Sequence, residues 1–284
     1  MMKAIGIVYS YDEDRRLFSI QGRGRLTYFY IEGYLFKQFQ KYLGEGVFVS
    51  FVAEEVAKKR RGVKSFTVHH FIKILGLRYR KPKVFYDASV INQQIVSTIA
   101  SHKTKLFLDL ELSMQPFEKG KVFTQEIIQA GMILEVHGNV IVEFNRYIKP
   151  QTTKQLTDRT RQFLGVSDDV LDGAMSAGEF YETLKTLLQT YRPQIYVWGR
   201  NDFLSLDVFY KLLKRPSLTK RHQFVDVMKL IKTYRNQKND IGLLTCAMEY
   251  GYVADMQRHD AYEDALMTMY ITHQFLTQIK TSPK

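Results

Sequence analysis

The sequence predicts two domains, a small all-β barrel over residues 1–76 and an α/β domain over residues 105–284, joined by a basic connector over 77–104. Three observations lead there. A chain of 284 residues exceeds the usual size of a single domain. Short, alternating apolar segments separated by turn residues fill the first quarter. Beyond residue 105 strand and helix patterns alternate, which is the mark of an α/β domain.

In the first part, strands are expected at 5–9, 17–20, 26–31, 46–52 and 64–74. Asp12-Glu13-Asp14 and Gly22-Arg23-Gly24 read as hairpin turns, and Lys58-Lys59-Arg60-Arg61-Gly62 reads as a charged hairpin tip. Five short strands with aromatics among cations form an OB-like pattern. The net charge is +12, and residues 1–104 hold +10 of it. A basic surface of this kind attracts a polyanion and gains from counterion release, although a solvated face would look the same. Gly6-Ile7-Val8 and Leu43-Gly44-Glu45-Gly46-Val47-Phe48-Val49-Ser50-Phe51 resemble segments of a divergent cold-shock or S1-type OB domain. That resemblance implies base stacking by Phe18, Phe29 or Tyr30, with Lys58, Lys59, Arg60 and Arg61 following a single-stranded backbone. Alternate strand aromatics can equally belong to a core.

Composition excludes other classes. Hydrophobic content of 45% with 25% charged residues is that of a soluble globular chain, and no apolar run approaches the roughly 20 residues that span a bilayer. No membrane association is expected. The opening residues run straight into a strand pattern without a signal-peptide core, so a cytoplasmic location is expected. A single cysteine, Cys246, rules out an intrachain disulfide.

In the connector, Arg78-Tyr79-Arg80-Lys81-Pro82-Lys83 is basic and broken by proline, and 88–102 can form a helix. After it the pattern predicts a strand at 106–112, a helix at 123–130 and strands at 132–137 and 140–147. Helices follow, interrupted by strands at 195–198 and 224–226.

Three segments of this part carry acids where chemistry needs them. In Leu106-Phe107-Leu108-Asp109-Leu110-Glu111 two carboxylates interrupt an apolar strand, and the two-residue period puts both on one face. Burying like charges together is costly unless a hard divalent cation offsets them, but a strand emerging into solvent shows the same pattern. In Trp198-Gly199-Arg200-Asn201-Asp202 the acid stands at a helix start, where it either caps the helix or serves a metal. Asp207 and Asp226 compete with it; Asp207 points to another helix face, and Asp226 reads as a strand-end structural acid. In Arg258-His259-Asp260-Ala261-Tyr262-Glu263-Asp264, His259 and Asp264 would lie about 140° apart on one regular helix, so they share a site only if His259 lies in the preceding loop. Asp260 is expected to cap the helix.

These segments, in this order, resemble the DEDDh exonucleases. Asp109-Leu110-Glu111 matches the first motif, Asp202 after Trp198-Gly199 the second, and His259-x-Ala261-x-x-Asp264 the third. The Trp-Gly form is that of the branch containing histone-mRNA and small-RNA exonucleases and a bacterial sporulation-associated relative. The resemblance spans about 105–278. It implies an RNase H-like sheet flanked by helices, and two Mg²⁺ or Mn²⁺ ions held by Asp109, Glu111, Asp202 and Asp264. It also implies His259 as general base and Leu112, Ser113 and Met114 framing the terminal nucleotide. The function so implied is 3′→5′ removal of nucleoside 5′-monophosphates from single-stranded nucleic acid, with RNA favoured over DNA. A DNA-directed proofreading or repair exonuclease is the alternative enzyme. A catalytically silent binding module is the alternative from another class, and the presence of all five catalytic positions speaks against it.

Overall fold

The computed structural model describes residues 1–22, 24–79, 81–117, 123–153, 155–253 and 259–281. Arg23, Arg80 and Arg258, each part of a motif above, lie outside the described residues. The chain divides into two compact units, chiefly Met1–Ile95 with Thr233–Lys238, and Val96–Lys232 with Asn239–Pro283. The first unit therefore runs past residue 76, because part of the expected connector adds a strand to its sheet.

That first unit contains β1 (Met2–Asp12), β2 (Leu17–Gly22), β3 (Arg25–Ile31), α1 (Gly33–Phe39), β4 (Val47–Ala53), β5 (Lys58–Arg60), β6 (Val63–Gly76) and β7 (Lys83–Asp87). Strands neighbour in the order β3-β2-β1-β4-β6, and β3 also pairs in parallel with β6, so five strands close on themselves. The helix between the third and fourth strands adds Leu35, Phe36 and Phe39 to the core. At its centre Phe18, Phe29 and Phe51 pack with ring centroids 4.7–5.4 Å apart. Each buried ring stabilises the fold by roughly 1.5–3 kcal/mol.

This packing corrects the stacking expectation for two residues. Phe18 and Phe29 are 1% and 3% exposed and belong to the barrel core, so neither presents a face to a base. Alternation along β3 sends Tyr30 the other way, half-buried with the Arg60 guanidinium 5.7 Å from its ring. The basic tip forms as expected: β5 and β6 pair antiparallel through a two-residue turn at Arg61-Gly62. Lys58, Lys59 and Arg61 are exposed there, with Lys58 Nζ 3.1 Å from Glu54.

After α2 (Ala88–Ser101) the second unit contains β8 (Thr104–Leu112), β9 (Ile127–Val136), β10 (Asn139–Tyr147), α3 (Asp158–Leu164), α4 (Ala177–Tyr191) and β11 (Gln194–Val197). It continues with α5 (Asn201–Leu212), β12 (Phe224–Asp226), α6 (Val227–Arg235), α7 (Leu243–Glu249) and α8 (Ala261–Thr281). Its sheet has the order β10-β9-β8-β11-β12, with β9 antiparallel to its neighbours and β11 parallel to β8 and β12. One face packs Leu106, Leu108 and Leu110 against Phe180 and Leu184 of α4 and Leu206 and Phe209 of α5; α8 packs against β8 and β9. The carboxyl ends of β8 and β11 point the same way, where open α/β sheets hold ligands.

The expected helix at 123–130 is absent. Residues from Ile127 form β9, a central strand buried at nine of its ten positions, and pairing on both edges prevails over the local pattern. No helix of the described residues is long and apolar enough to cross a membrane.

Candidate active site

Alternation along β8 sends Leu106, Leu108 and Leu110 into the α4/α5 core, and Phe107, Asp109 and Glu111 to the opposite side. Phe107 marks that side as the one facing α8, since its ring lies 6.1 Å from His273 of that helix.

Parallel pairing of β8 and β11 brings the turn after Val197 beside this strand end. The turn is made at Gly199, whose φ of 92° lies in the left-handed region that favours glycine. Asp226 at the end of β12 fixes it, accepting from Gly199 N at 3.1 Å and from Lys229 N at 2.9 Å. Asp226 is thus the structural acid the sequence suggested. Asp202, in the first turn of α5, is 5% exposed, and its Oδ1 accepts from Leu110 N at 3.0 Å. That bond ties the second motif to the first. Asp207 lies one turn further on and is half-buried.

The third motif enters over β9. Gly131 stands opposite Asp109 in the ladder, and a Cβ built on it would lie 2.1 Å from the Ala261 carbonyl carbon, so only glycine admits the helix entry this close. His259 lies in the loop before α8, the arrangement that a shared site requires. Asp260 caps the helix, its Oδ1 accepting from Tyr262 N at 3.0 Å and Glu263 N at 3.1 Å. Asp264 follows in the first turn, 7% exposed. Further along α8, His273 Nε2 stands 2.7 Å and Lys105 Nζ 2.6 Å from the two oxygens of buried Glu135, which anchors the helix to β8 and β9.

The structure thus gathers all five residues at one strand end. Ligand atoms of Glu111, His259 and Asp264 lie within 4.8 Å of one another, and His259 Nδ1 is 4.0 Å from Glu111 Oε1. Burial first, then mutual repulsion, drives the carboxyls upward. Glu111 rises to about 8 and Asp264 to about 7. Asp202 also rises to about 7 through burial and its acidic neighbours, against the pull of its backbone hydrogen bonds, and Asp109 lies well above the usual range. Burial lowers the His259 imidazole below its ordinary value. Among the described residues, the Oδ1 of Asp264 is buried without a hydrogen-bond partner. A donor set made mainly of carboxylates, one with an orphaned oxygen, fits a hard divalent cation, which would offset the repulsion.

Stability should therefore depend on pH and metal together. With folded-state values near 7 and 8 against about 4 in the unfolded chain, the native protein binds the extra protons between pH ~4 and ~8. Its stability falls as pH rises through that window. We expect the metal-free protein to melt at a lower temperature at pH 8 than at pH 5, and Mg²⁺ or Mn²⁺ to raise the midpoint more at pH 8. Calorimetry at both pH values checks this; a midpoint indifferent to pH and to metal would contradict the cluster.

A profile of the exonuclease (RNase T) family matches residues 106–272, which contain all five of these residues. The chain belongs to the exonuclease family. Like that family it is a hydrolase of phosphodiester bonds. This exonuclease is 28% identical over 182 residues to the probable 3′-5′ exonuclease KapD of Bacillus subtilis (strain 168), covering 62% of this chain and 85% of KapD. Its fold is similar to that of the nuclease domain of 3′hExo, a DEDDh family member bound to rAMP, with TM-score 0.51 and 18% identity over 63% of this chain and 92% of that one. A 3′-exonuclease recognising a histone mRNA stem-loop is also similar, with TM-score 0.51 and 16% identity over 63% of this chain. That match spans 64% of the relative, less than two thirds of its length.

In this exonuclease the three residues expected to frame a nucleotide differ in their freedom. Ser113 is buried; its N–H is donated to the Glu126 carbonyl at 2.8 Å, and its Oγ accepts from Glu126 N at 2.9 Å. Met114 N donates to Thr160 Oγ1 at 2.9 Å, and its carbonyl accepts from Thr157 Oγ1 at 2.8 Å. Both backbone N–H groups are thus occupied internally, and so is the Met114 carbonyl. Leu112 ends β8 half-buried. Met114 lines a cavity of about 280 Å³ with Gln115, Phe123, Gln125 and Arg159. Sequence motifs also miss Phe163 on α3, whose ring stacks on His259 with centroids 4.0 Å apart and planes 22° apart. No motif signals such a residue, because its partner lies 96 positions away.

Proposed function

We propose that this exonuclease degrades single-stranded RNA from the 3′ end to nucleoside 5′-monophosphates. The observation that carries the reading is the convergence of Asp109, Glu111, Asp202 and Asp264 with His259 at one strand end, an orphaned carboxylate oxygen among them. The four acids would hold two Mg²⁺ or Mn²⁺ ions, which when bound neutralise the phosphate and acidify an attacking water.

His259, neutral near pH 7 because burial lowers its pKa, takes the proton of the water as oxygen attacks phosphorus. The P–O3′ bond breaks, and solvent protonates the departing 3′ oxygen. Phe163 restricts the imidazole to one plane, and Leu110 N holds the Asp202 carboxylate against β8. Preference for RNA rests on the Trp198-Gly199 form of the second motif and on the basic, OB-like first unit, whose closed five-strand arrangement supports a single-strand binding role. Rates on matched RNA and DNA oligomers test the preference. Faster release from RNA supports it; equal or faster release from DNA assigns the enzyme to DNA ends.

The first unit adds affinity through the β5–β6 tip. Replacing Lys59 by Gln and Arg61 by Asn, which tolerates the left-handed φ of 48°, should weaken RNA binding. Neutralising two fewer phosphates of a single strand should shrink the slope of log affinity against log salt by about 1.4. Release at saturating RNA should stay unchanged. Titrations across salt concentrations check both.

A further inference from the structure

We infer that Gln129 is a positioning residue that sets His259 and Asp264 in register with the first motif. This rests on the catalytic reading of those two residues. Gln129 is one of two buried polar side chains, with Glu135, in the most deeply buried strand; it is 1% exposed and stands opposite Glu111 in the β8–β9 ladder. A buried amide costs stability unless its hydrogen bonds are made, and this one is satisfied at both ends. Its Nε2 donates to Asp260 Oδ2 at 2.6 Å and to Asn145 Oδ1 at 2.8 Å, and its Oε1 accepts from Ala261 N at 3.3 Å.

Asp260 is the joint through which this grip reaches the site. Its other oxygen caps α8, and its carbonyl accepts the first helical bond, from Asp264 N at 2.9 Å. His259 is its chain neighbour on the other side. One side chain on β9 therefore fixes the residue between the two functional groups, while Gly131, two positions along, lets the helix entry come close enough to be gripped. Both strand residues face α8, and they oppose Glu111 and Asp109 respectively. Asn145 on β10 fixes the amide orientation, leaving Nε2 as the group that meets Asp260.

Chemistry distinguishes this role from filling space. A glutamate in place of Gln129 has the same shape but no N–H, and it sets a second buried carboxylate against Asp260. Gln129→Glu should lower kcat for mononucleotide release by about 100-fold, the cost of a misplacement of about 1 Å at the reacting groups, and leave KM within about threefold. Adding Asp260→Asn should restore kcat to within about tenfold of wild type, because the new amide can donate to the introduced carboxylate while its oxygen still caps the helix.

The test is steady-state release from a labelled single-stranded RNA by the full chain with Mn²⁺, beside melting curves. Gln129→Leu, which keeps the volume, serves if Gln129→Glu does not fold. Loss of kcat at nearly constant KM, with rescue by the second substitution, supports the inference. Unchanged kcat per folded molecule, a loss confined to the melting temperature, or no rescue overturns it. If wild type releases nothing, the catalytic reading has failed; an active wild type with unaffected Gln129 variants fails the positioning role alone.

Discussion

Asp109→Asn is expected to lower mononucleotide release by at least about 10³-fold and to raise the melting temperature of the metal-free protein. A loss of 10³ corresponds to ~4 kcal/mol of transition-state stabilisation. The two effects have one cause. Asp109 sits where burial and the charges of Asp202, Asp264 and Glu111 all oppose ionisation, so the neutral, near-isosteric amide relieves repulsion while removing a metal ligand. At pH 8 the gain in midpoint should be largest, since the neighbours near 7 and 8 are then most charged. Stabilisation by Mg²⁺ should fall in parallel. Paired rate assays and calorimetry check the prediction; an active Asp109→Asn enzyme would remove this residue from the metal site.

His259→Ala should lower kcat by about 10²–10⁴-fold, the usual range for loss of a general base, while divalent metal still stabilises the fold. The geometry leaves two roles for this ring, since its nitrogens stand among atoms that could hold a metal with Glu111 and Asp264. Four carboxylates remain in the variant. If the imidazole is a base, metal binding survives and the chemical step is lost; if it is a ligand, both fall together. In the wild type, activity should decline as pH drops, because protons first compete with the metal for Glu111, Asp202 and Asp264 and then, below the lowered imidazole value, remove the base. Phe163→Ala, which frees the stacked ring, should reduce kcat less than His259→Ala does.

Much of this was legible because local patterns carried it. Alternation in 106–111 placed both acids on one face, and the requirement that His259 precede the helix follows from 100° per residue. Other features depend on pairings that no local pattern encodes. Residues 123–130 resemble a helix until β8 and β10 pair with Ile127–Val136 on both edges. β7 looks like linker until it pairs with β6, and three-residue β5 becomes a strand through its hairpin partner. The pattern around Phe18 and Phe29 suits either face of a strand, and only the non-local closure of the sheet puts both in its core. Gln129 and Gly131 acquire meaning only from the helix entry 131 and 130 residues away.

The most direct test of the site is a time course on 5′-labelled single-stranded RNA with Mg²⁺ or Mn²⁺, comparing wild type with Asp109→Asn and His259→Ala. The account predicts a ladder shortening from the 3′ end, nucleoside 5′-monophosphate as product, and neither in the two variants or in chelator. Metal-independent cleavage, or a ladder that persists in both variants, would contradict it.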